Sequence, residues 1–453
     1  MSQYSRRRFL FTATATGFGA VLLKSCVGNP PSSGGGNASA PASPGAVPAV
    51  NPGSGDAPEV TTARLGYLPI FEAAPFIVAV EKQMFAKYGM TDVQVLKQSS
   101  WGALRDNIVI GAGGGGIDGA QFQMPMPYAI ADGRITDNRK VPMYVLLQTS
   151  TQGNGIAIAN KHLGKNLHAD LSKGGANYLK ELAAKGTPFT AAYTFPGANQ
   201  ELWIRYWLGA GGINPDTDVK LIVVPPAQTV ANMKTGTMDG FSTGDPWPFR
   251  ILADNIGFMG ALTAQMWKDH PEEYFGMRAD WVDKHPKAAK AIMKGLMEAQ
   301  QWCDKQENRK ELAQILGGRQ YFNLPVNVLE PPLAGRYNMG DGQPEINDTA
   351  MGPLYWKDSK GSVSYPYKSH DTWFLTENIR WGMIPAETNV KELVDKTNRE
   401  DLWKEAAKEA GIADADIPKE TTRGVETFFD GVKFDAANPT EYLKSLKVKK
   451  VNV

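Results

Sequence analysis

Two successive runs of strand–helix alternation, each leading to a proline-marked turn, constrain this chain more than any other feature of its sequence. In the first run Thr62-Ala-Arg-Leu-Gly-Tyr-Leu-Pro reads as a strand and residues 73–88 as a helix closed by Gly89. Val93-Gln-Val-Leu is the next strand and residues 101–109 the next helix; Ile117-Asp-Gly-Ala then leads into Pro125-Met-Pro-Tyr. Met143-Tyr-Val-Leu-Leu and Ile156-Ala-Ile-Ala read as strands around a break at Gln152-Gly-Asn-Gly. The second run has strands over residues 189–195, 219–224 and 238–242, helices over 201–208 and 228–233, and then Asp245-Pro-Trp-Pro. Helices of this size between strands act as crossovers, which argues an α/β architecture with mostly parallel sheets. From about Pro271 the pattern becomes mainly helical, with Ala291, Ile292, Leu296 and Met297 on one buried stripe. The tail, rich in Trp, Tyr, Pro and Gly, reads as a long extension wrapped over two lobes.

The residues before these runs address location. Ser5-Arg-Arg-Arg-Phe-Leu opens a short apolar run that ends at Leu23-Lys-Ser-Cys26. Paired arginines before such a run read as an export signal of the twin-arginine type over residues 1–25. The run is too short, and too rich in Thr, Ala and Gly, for a membrane span. Cys26 stands where a bacterial lipoprotein carries its lipidated cysteine; the competing reading is a plain signal peptide with an incidental cysteine. Residues 26–58, with Asn29-Pro-Pro-Ser-Ser-Gly-Gly-Gly, lack the apolar side chains that would offset the entropy of ordering, and read as a flexible tether. The remainder is long enough for two lobes with separate cores. Lys+Arg 48 against Asp+Glu 47 leaves a net charge of +1, with no basic stripe to suggest nucleic acid. Cys303, in the helical run over residues 288–306, reads as a packing residue. His162, His168, His270, His285 and His370 have no ligand-like spacing, which argues against a zinc site.

The chemistry-bearing positions are polar residues at strand ends and helix starts. No nucleophile elbow, Gly-Lys-Ser/Thr or dinucleotide fingerprint is present, and Gly111-Ala-Gly-Gly-Gly-Gly reads as a turn rather than a phosphate cradle. Ser99-Ser-Trp-Gly-Ala puts Trp101 and Gly102 at a helix N-terminus, where free amides favour a small anion; core packing is the competing reading of Trp101. Thr194-Phe-Pro-Gly-Ala-Asn-Gln200 follows a strand, and Gln200 either offers its amide to an oxyanion or merely solvates the helix start. Pro225-Pro226 and Thr243-Gly244-Asp245-Pro246 are similar junctions. Glu272 and Glu273 read by themselves as ordinary first-turn carboxylates after Pro271.

Together with the leader and tether, Lys97-Gln-Ser-Ser-Trp-Gly, Thr194-Phe-Pro, Trp203-Ile-Arg-Tyr-Trp, Gly244-Asp-Pro-Trp-Pro, Gly340-Asp-Gly-Gln-Pro and Val425-Glu-Thr-Phe-Phe-Asp-Gly carry a resemblance. Over essentially the whole chain, the sequence resembles the substrate-binding lipoproteins of cyanobacterial ATP-driven transporters for nitrate and bicarbonate. The resemblance implies a two-lobed, C-clamp-shaped periplasmic binding fold, type II-like, with an extended C-terminal helical region. Residues 59–160 would begin lobe 1, 161–268 form lobe 2, and 269–453 return to lobe 1 and form the extension. It also implies a non-enzymatic receptor, lipid-anchored at the periplasmic face of the inner membrane, that delivers its anion to a permease with ATP-binding subunits. The family pocket maps onto Trp101, Gly102, Asn154, Gln200, Pro226, Thr243, Gly244 and Glu273, with Gln152 and Thr194 close enough in sequence to join them.

Two of these positions separate the substrates. The nitrate binders resemble this chain but carry histidine at the position of Gln200 and lysine at that of Glu273. A lysine suits nitrate, a permanent anion with acceptor oxygens only, and a carboxylate repels it. Bicarbonate carries an O–H that an ionised Glu273 can accept while amides donate to its other oxygens. The resemblance to the bicarbonate binder further implies a calcium ion shared by Glu273 and the oxyanion, and hard oxygen ligands suit that ion. The expectation is therefore a high-affinity bicarbonate receptor. The alternative is a nitrate or nitrite receptor, towards which Ser100-Trp-Gly and Gly276-Met-Arg-Ala-Asp lean. A periplasmic enzyme acting on a small acid is disfavoured by the lack of a nucleophile–base pair.

Overall fold

A computed structural model describes residues 57–452; the leader, Cys26 and nearly all of the tether lie outside the described residues. Two five-stranded sheets dominate. The strands are β1 (Thr62–Tyr67), β2 (Asp92–Lys97), β3 (Gly119–Gln123), β4 (Met143–Thr151), β5 (Asn154–Ala159), β6 (Thr190–Tyr193), β7 (Lys220–Val223), β8 (Gly240–Gly244), β9 (Gly257–Leu262) and β10 (Pro271–Arg278). Their order is β2-β1-β3-β10-β4 in the first sheet and β7-β6-β8-β5-β9 in the second.

The chain leaves the first sheet at Gln152-Gly153, between β4 and β5, and returns between β9 and β10. In each sheet the strand that has just crossed takes the fourth place: β5 lies between β8 and β9, and β10 between β3 and β4. Both run antiparallel to their neighbours. The parallel pairs are β1–β2, β1–β3, β6–β7 and β6–β8. The sheets are therefore mixed rather than mostly parallel, because a strand arriving from the opposite sheet needs no helical crossover. The expected helix after Pro271 is likewise replaced by β10, whose residues 271–277 are all buried between two neighbours. The helix expected over residues 73–88 divides into Ala74–Glu81 and Met84–Lys87, because Gln83 adopts a left-handed conformation (φ 55°).

Each sheet carries its own core. Leu65, Tyr67, Phe275 and Met277 pack with helices Ala74–Glu81 and Pro286–Asp304, and the predicted stripe Ala291, Ile292, Leu296 and Met297 lies in this core. Cys303 is buried there, and burial pushes its thiol pKa up, consistent with a packing role. The second core joins Ile156, Ile158 and Phe189 to Trp203 and Trp207 of helix Asn199–Ala210. The extension lies on both lobes. Trp373 of helix Lys368–Arg380 stacks on Trp203 with ring centroids 5.0 Å apart, while Trp403 of helix Glu400–Glu409 enters the first core. Among the described residues, no helix is long and apolar enough to cross a membrane.

Candidate functional site

The topology brings one end of each sheet to a common place. β1, β2, β3 and β4 end there in the first sheet, and β6, β7 and β8 in the second; β10 and β5, running the other way, begin there. Pockets of α/β folds form at such strand ends, where the loops diverge. Here the two sets of ends touch. Trp247 Nε1 donates to the Pro69 carbonyl at 2.9 Å, and Phe71 N to the Asp245 carbonyl at 2.8 Å. Gln123 Nε2 donates to Thr194 Oγ1 at 2.6 Å. Asn199 Nδ2 donates to Glu272 Oε1 and Trp203 Nε1 to Glu272 Oε2, each at 2.8 Å. A third apolar cluster joins Ile70, Trp101 and Phe122 to Phe195, Phe241 and Trp247 across the same junction.

Five of the ten expected residues carry buried polar atoms with no protein partner. Trp101 is the first residue of helix Trp101–Ile110, with Ser100 as its cap; its indole N–H is buried and unpartnered. Gly102 follows it, and an added Cβ would meet only Ser100 Oγ, at 3.7 Å, so packing does not demand a glycine there. Asn154 opens β5 opposite Gly244; its Nδ2 donates to Ser242 Oγ at 3.2 Å and its Oδ1 has no partner. The Thr243 hydroxyl is also unpartnered. Thr194 Oγ1 donates to Gln200 Oε1, which leaves Gln200 Nε2 free. Glu273 lies opposite Gln123 across β3–β10; its Oε2 accepts from Gln121 Nε2 at 2.5 Å, and its Oε1 has no partner. Buried polar groups normally find partners, so this concentration of unmet donors and acceptors points to a small polar ligand.

Two expected residues are differently engaged. Gln152, in a left-handed conformation (φ 59°), donates from Nε2 to the Ala350 and Gly352 carbonyls at 2.9 and 2.7 Å, and its Oε1 accepts from Asp269 N at 3.3 Å. Its amide is thus spent tying the first crossing to the extension. The Pro226 carbonyl accepts from Thr229 Oγ1 at 2.8 Å, closing its own turn.

The structure adds Glu72, Gln121 and Gln123, which motif reading missed, and the side chain of Asp245, whose position was read only as part of a strand-to-helix junction. Glu72 is fully buried with both carboxylate oxygens unpartnered, and Asp245 Oδ1 is unpartnered too. An ideal Cβ on Gly244 would lie 3.1 Å from both Glu72 oxygens, so that carboxylate rests against bare backbone. A signal existed for these residues: Glu72 interrupts an otherwise apolar stretch just after a strand, and Gln121-Phe-Gln123 alternates polar residues within a buried strand. Burial raises the pKa values of Glu72, Asp245, Glu272 and Glu273 above the carboxylate range, and repulsion from Glu273 and Glu272 adds to the effect on Glu72. Among the described residues, no Lys or Arg pairs with any of the four. His270 lies 3.5 Å from Glu272, but burial holds its pKa down at about 3, so it stays neutral. Nor does any group of three or more His, Cys, Asp or Glu side chains suit a metal ion by itself among the described residues.

Residues 56–317 match the NMT1-like family. The chain is 54% identical over 450 residues to the bicarbonate-binding protein CmpA of Synechococcus elongatus, covering 98% of each chain. It is 31% identical to the bicarbonate transport ATP-binding protein CmpC of Synechocystis sp., over 85% of this chain and 55% of that one. The crystal structure of the periplasmic nitrate-binding protein NrtA from Synechocystis PCC 6803 superposes with a TM-score of 0.83 at 51% identity, covering 86% of this chain and all of that one.

Proposed function

Because this chain belongs to the NMT1-like family and, within it, to the substrate-binding proteins of nitrate and bicarbonate importers, we propose that it is a receptor that captures bicarbonate and presents it to an ATP-driven permease. It acts without catalysing a reaction, on the periplasmic side, held to the plasma membrane by a lipid on Cys26. The observation that carries the bicarbonate reading is Glu273: a buried carboxylate with one oxygen committed to Gln121 and the other open. When Glu273 is ionised, two like unit charges about 4 Å apart repel by about 4 kcal/mol at an effective dielectric constant of about 20, which disfavours a bare nitrate beside this group. A bicarbonate O–H donates to Glu273 Oε1, while Trp101 Nε1 and Gln200 Nε2 are the free donors for its other oxygens.

Calcium fits the same chemistry. Glu273, a hard oxygen donor with one open carboxylate oxygen, would hold it beside the anion. The ion supplies the positive charge that the surrounding side chains lack. Closure of the lobes on the ligand excludes water and engages the Gln123–Thr194–Gln200 chain.

Isothermal titration of the full-length protein with bicarbonate, nitrate and nitrite, each with calcium chloride or a chelator, tests this reading. Bicarbonate should bind with calcium present, and Glu273→Lys should weaken it at least tenfold. Tight nitrate binding without bicarbonate binding would transfer the chain to the nitrate/nitrite reading.

A further inference from the structure

The two chain crossings between the sheets share an unusual backbone feature. Gln152 on the first and Asp269 on the second are non-glycine residues in the left-handed region, with φ of 59° and 61°. A Cβ makes that conformation costly, and it persists only where the surroundings impose it. Each crossing helps to impose it on the other: Gln152 N donates to the His270 carbonyl at 3.1 Å, and Asp269 N to Gln152 Oε1 at 3.3 Å. The extension supplies the rest. Gln152 Nε2 is held by the Ala350 and Gly352 carbonyls, and the Asp269 carboxylate accepts from Ser359 Oγ. An ideal Cβ on Gly153 would lie 3.4 Å from Pro353 Cβ, so the extension presses on the bare backbone of the first crossing. This same segment is fastened at its two ends to different lobes. On the second lobe, Met259 N donates to the Met339 carbonyl at 2.8 Å and Gln343 Nε2 to the Met259 carbonyl at 2.7 Å. Asp341 accepts from Gly164 N at 2.7 Å and lies 2.9 Å from His168 Nε2. On the first lobe, Thr151 N donates to the Leu354 carbonyl at 2.8 Å, Arg309 Nη2 to the Pro353 carbonyl at 3.0 Å, and Tyr355 N to Asp304 Oδ1 at 2.8 Å. The Gly340-Asp-Gly-Gln-Pro motif, which the anion site does not use, is thus the fastening on the second lobe.

We propose that residues 339–355 form a strap across the hinge, and that Gln152 is the positioning residue through which the strap holds the lobes closed on the ligand. The proposal rests on the reading of the chain as a receptor whose lobes close, whichever anion it carries. All of these bonds are made together while the sheet ends touch through Gln123–Thr194 and Trp247–Pro69. Separating the sheet ends requires the two crossings to turn. A change of φ at Gln152 or Asp269 carries the side chain away from its partners, and parting of the lobes otherwise pulls the strap off one of them. The strap therefore gives the closed form bonds that the open form lacks, which raises the closed population and with it the apparent affinity. The left-handed strain at Gln152 and Asp269 acts in the opposite sense. The hinge is thus poised between a strap that closes it and a backbone that relaxes when it opens.

The test uses the full-length protein and its D341A, Q343A, Q152A and Q152G variants. Small-angle X-ray scattering is recorded on each without ligand, together with the melting temperature. Bicarbonate with calcium chloride is then the probe for calorimetric affinity and stopped-flow dissociation. D341A and Q152A should enlarge the ligand-free radius of gyration, weaken bicarbonate binding about tenfold and speed its dissociation by a similar factor. Q343A releases the same end of the strap as D341A and should act in the same direction, so it replaces D341A if that variant does not fold. Q152G should lose less affinity than Q152A, because glycine takes the left-handed conformation without a Cβ penalty. A radius of gyration unchanged in the variants overturns the proposal whatever the melting temperature does, since the strap would then serve the fold alone. A Q152G protein that binds no better than Q152A overturns the hinge role of Gln152. Failure of the unaltered protein to bind bicarbonate overturns the bicarbonate reading, and the ligand-free scattering still decides the strap.

Discussion

At the scale of single residues, neighbouring identical side chains do different work. Glu272 and Glu273 are indistinguishable as a dipeptide, yet one bridges the lobes through Asn199 and Trp203 while the other keeps an open oxygen. Gln152 and Gln200 likewise diverge: the first spends its amide on the extension and the second keeps a free N–H. Gly244 earns its place sterically, since a methyl group there would meet Glu72 and Ile70 Cδ1 at 3.1 Å. Gly244→Ala is therefore expected to push the Glu72 carboxylate aside, at a cost of about 1–3 kcal/mol typical of overpacking. Bicarbonate affinity measured by calorimetry should drop by about tenfold, 1.4 kcal/mol being one decade. Unchanged affinity would mean that Glu72 yields freely.

At the scale of elements, the crossing strands make the site. β5 and β10 enter the fourth position of their sheets and so place Asn154 and Glu273 at the meeting ends. Gln123 of β3 reaches across to Thr194, which in turn orients Gln200. Gln123→Ala removes one of the links between the lobes, the bond to Thr194. Its expected effect is on release: stopped-flow measurement should show bicarbonate dissociating about tenfold faster, equivalent to about 1.4 kcal/mol of lost closure energy and within the range for one buried hydrogen bond. A dissociation rate equal to that of the unaltered protein would remove this bond from the closure mechanism. β10 is also where reading the chain went astray. Proline followed by two glutamates imitates a helix start, and a strand buried on both faces lacks the alternation that marks a half-exposed one.

For the molecule as a whole, the buried carboxyl groups set a pH dependence. Glu72, Asp245, Glu272 and Glu273 are raised by burial, and Asp371, buried beside Tyr128 and Asn398, is raised to about 7. A carboxyl group with a raised folded-state pKa keeps its proton longer in the folded than in the unfolded chain. Folding stability then falls as pH rises from the unfolded value towards the folded one. His270, lowered to about 3, and His370, also lowered, work the other way, and their contribution is lost below about 6.5. Above about pH 6.5 the carboxyl groups act alone, so the melting temperature of the ligand-free protein should fall as pH rises. Calcium plus bicarbonate should flatten that slope, and scanning calorimetry at stepped pH would read both. A slope that survives ligand saturation would assign the effect to Asp371 rather than to the cleft.

The sequence by itself determined the alternation of elements, the glycine- and proline-marked strand ends, the family and ten candidate positions, because these depend on local conformation and on motifs a few residues long. Of the ten, Trp101, Asn154, Thr194, Gln200, Thr243 and Glu273 present buried polar atoms, free or hydrogen-bonded across the lobes, at the meeting sheet ends. Which carboxylate is spent and which is open was decided only by tertiary structure. The donors that settle it stand far away in the chain: Gln121 for Glu273, Asn199 and Trp203 for Glu272, and for Glu72 no donor from any other residue. A residue's identity states what bonds it can make; folding alone decides how many are left for a ligand.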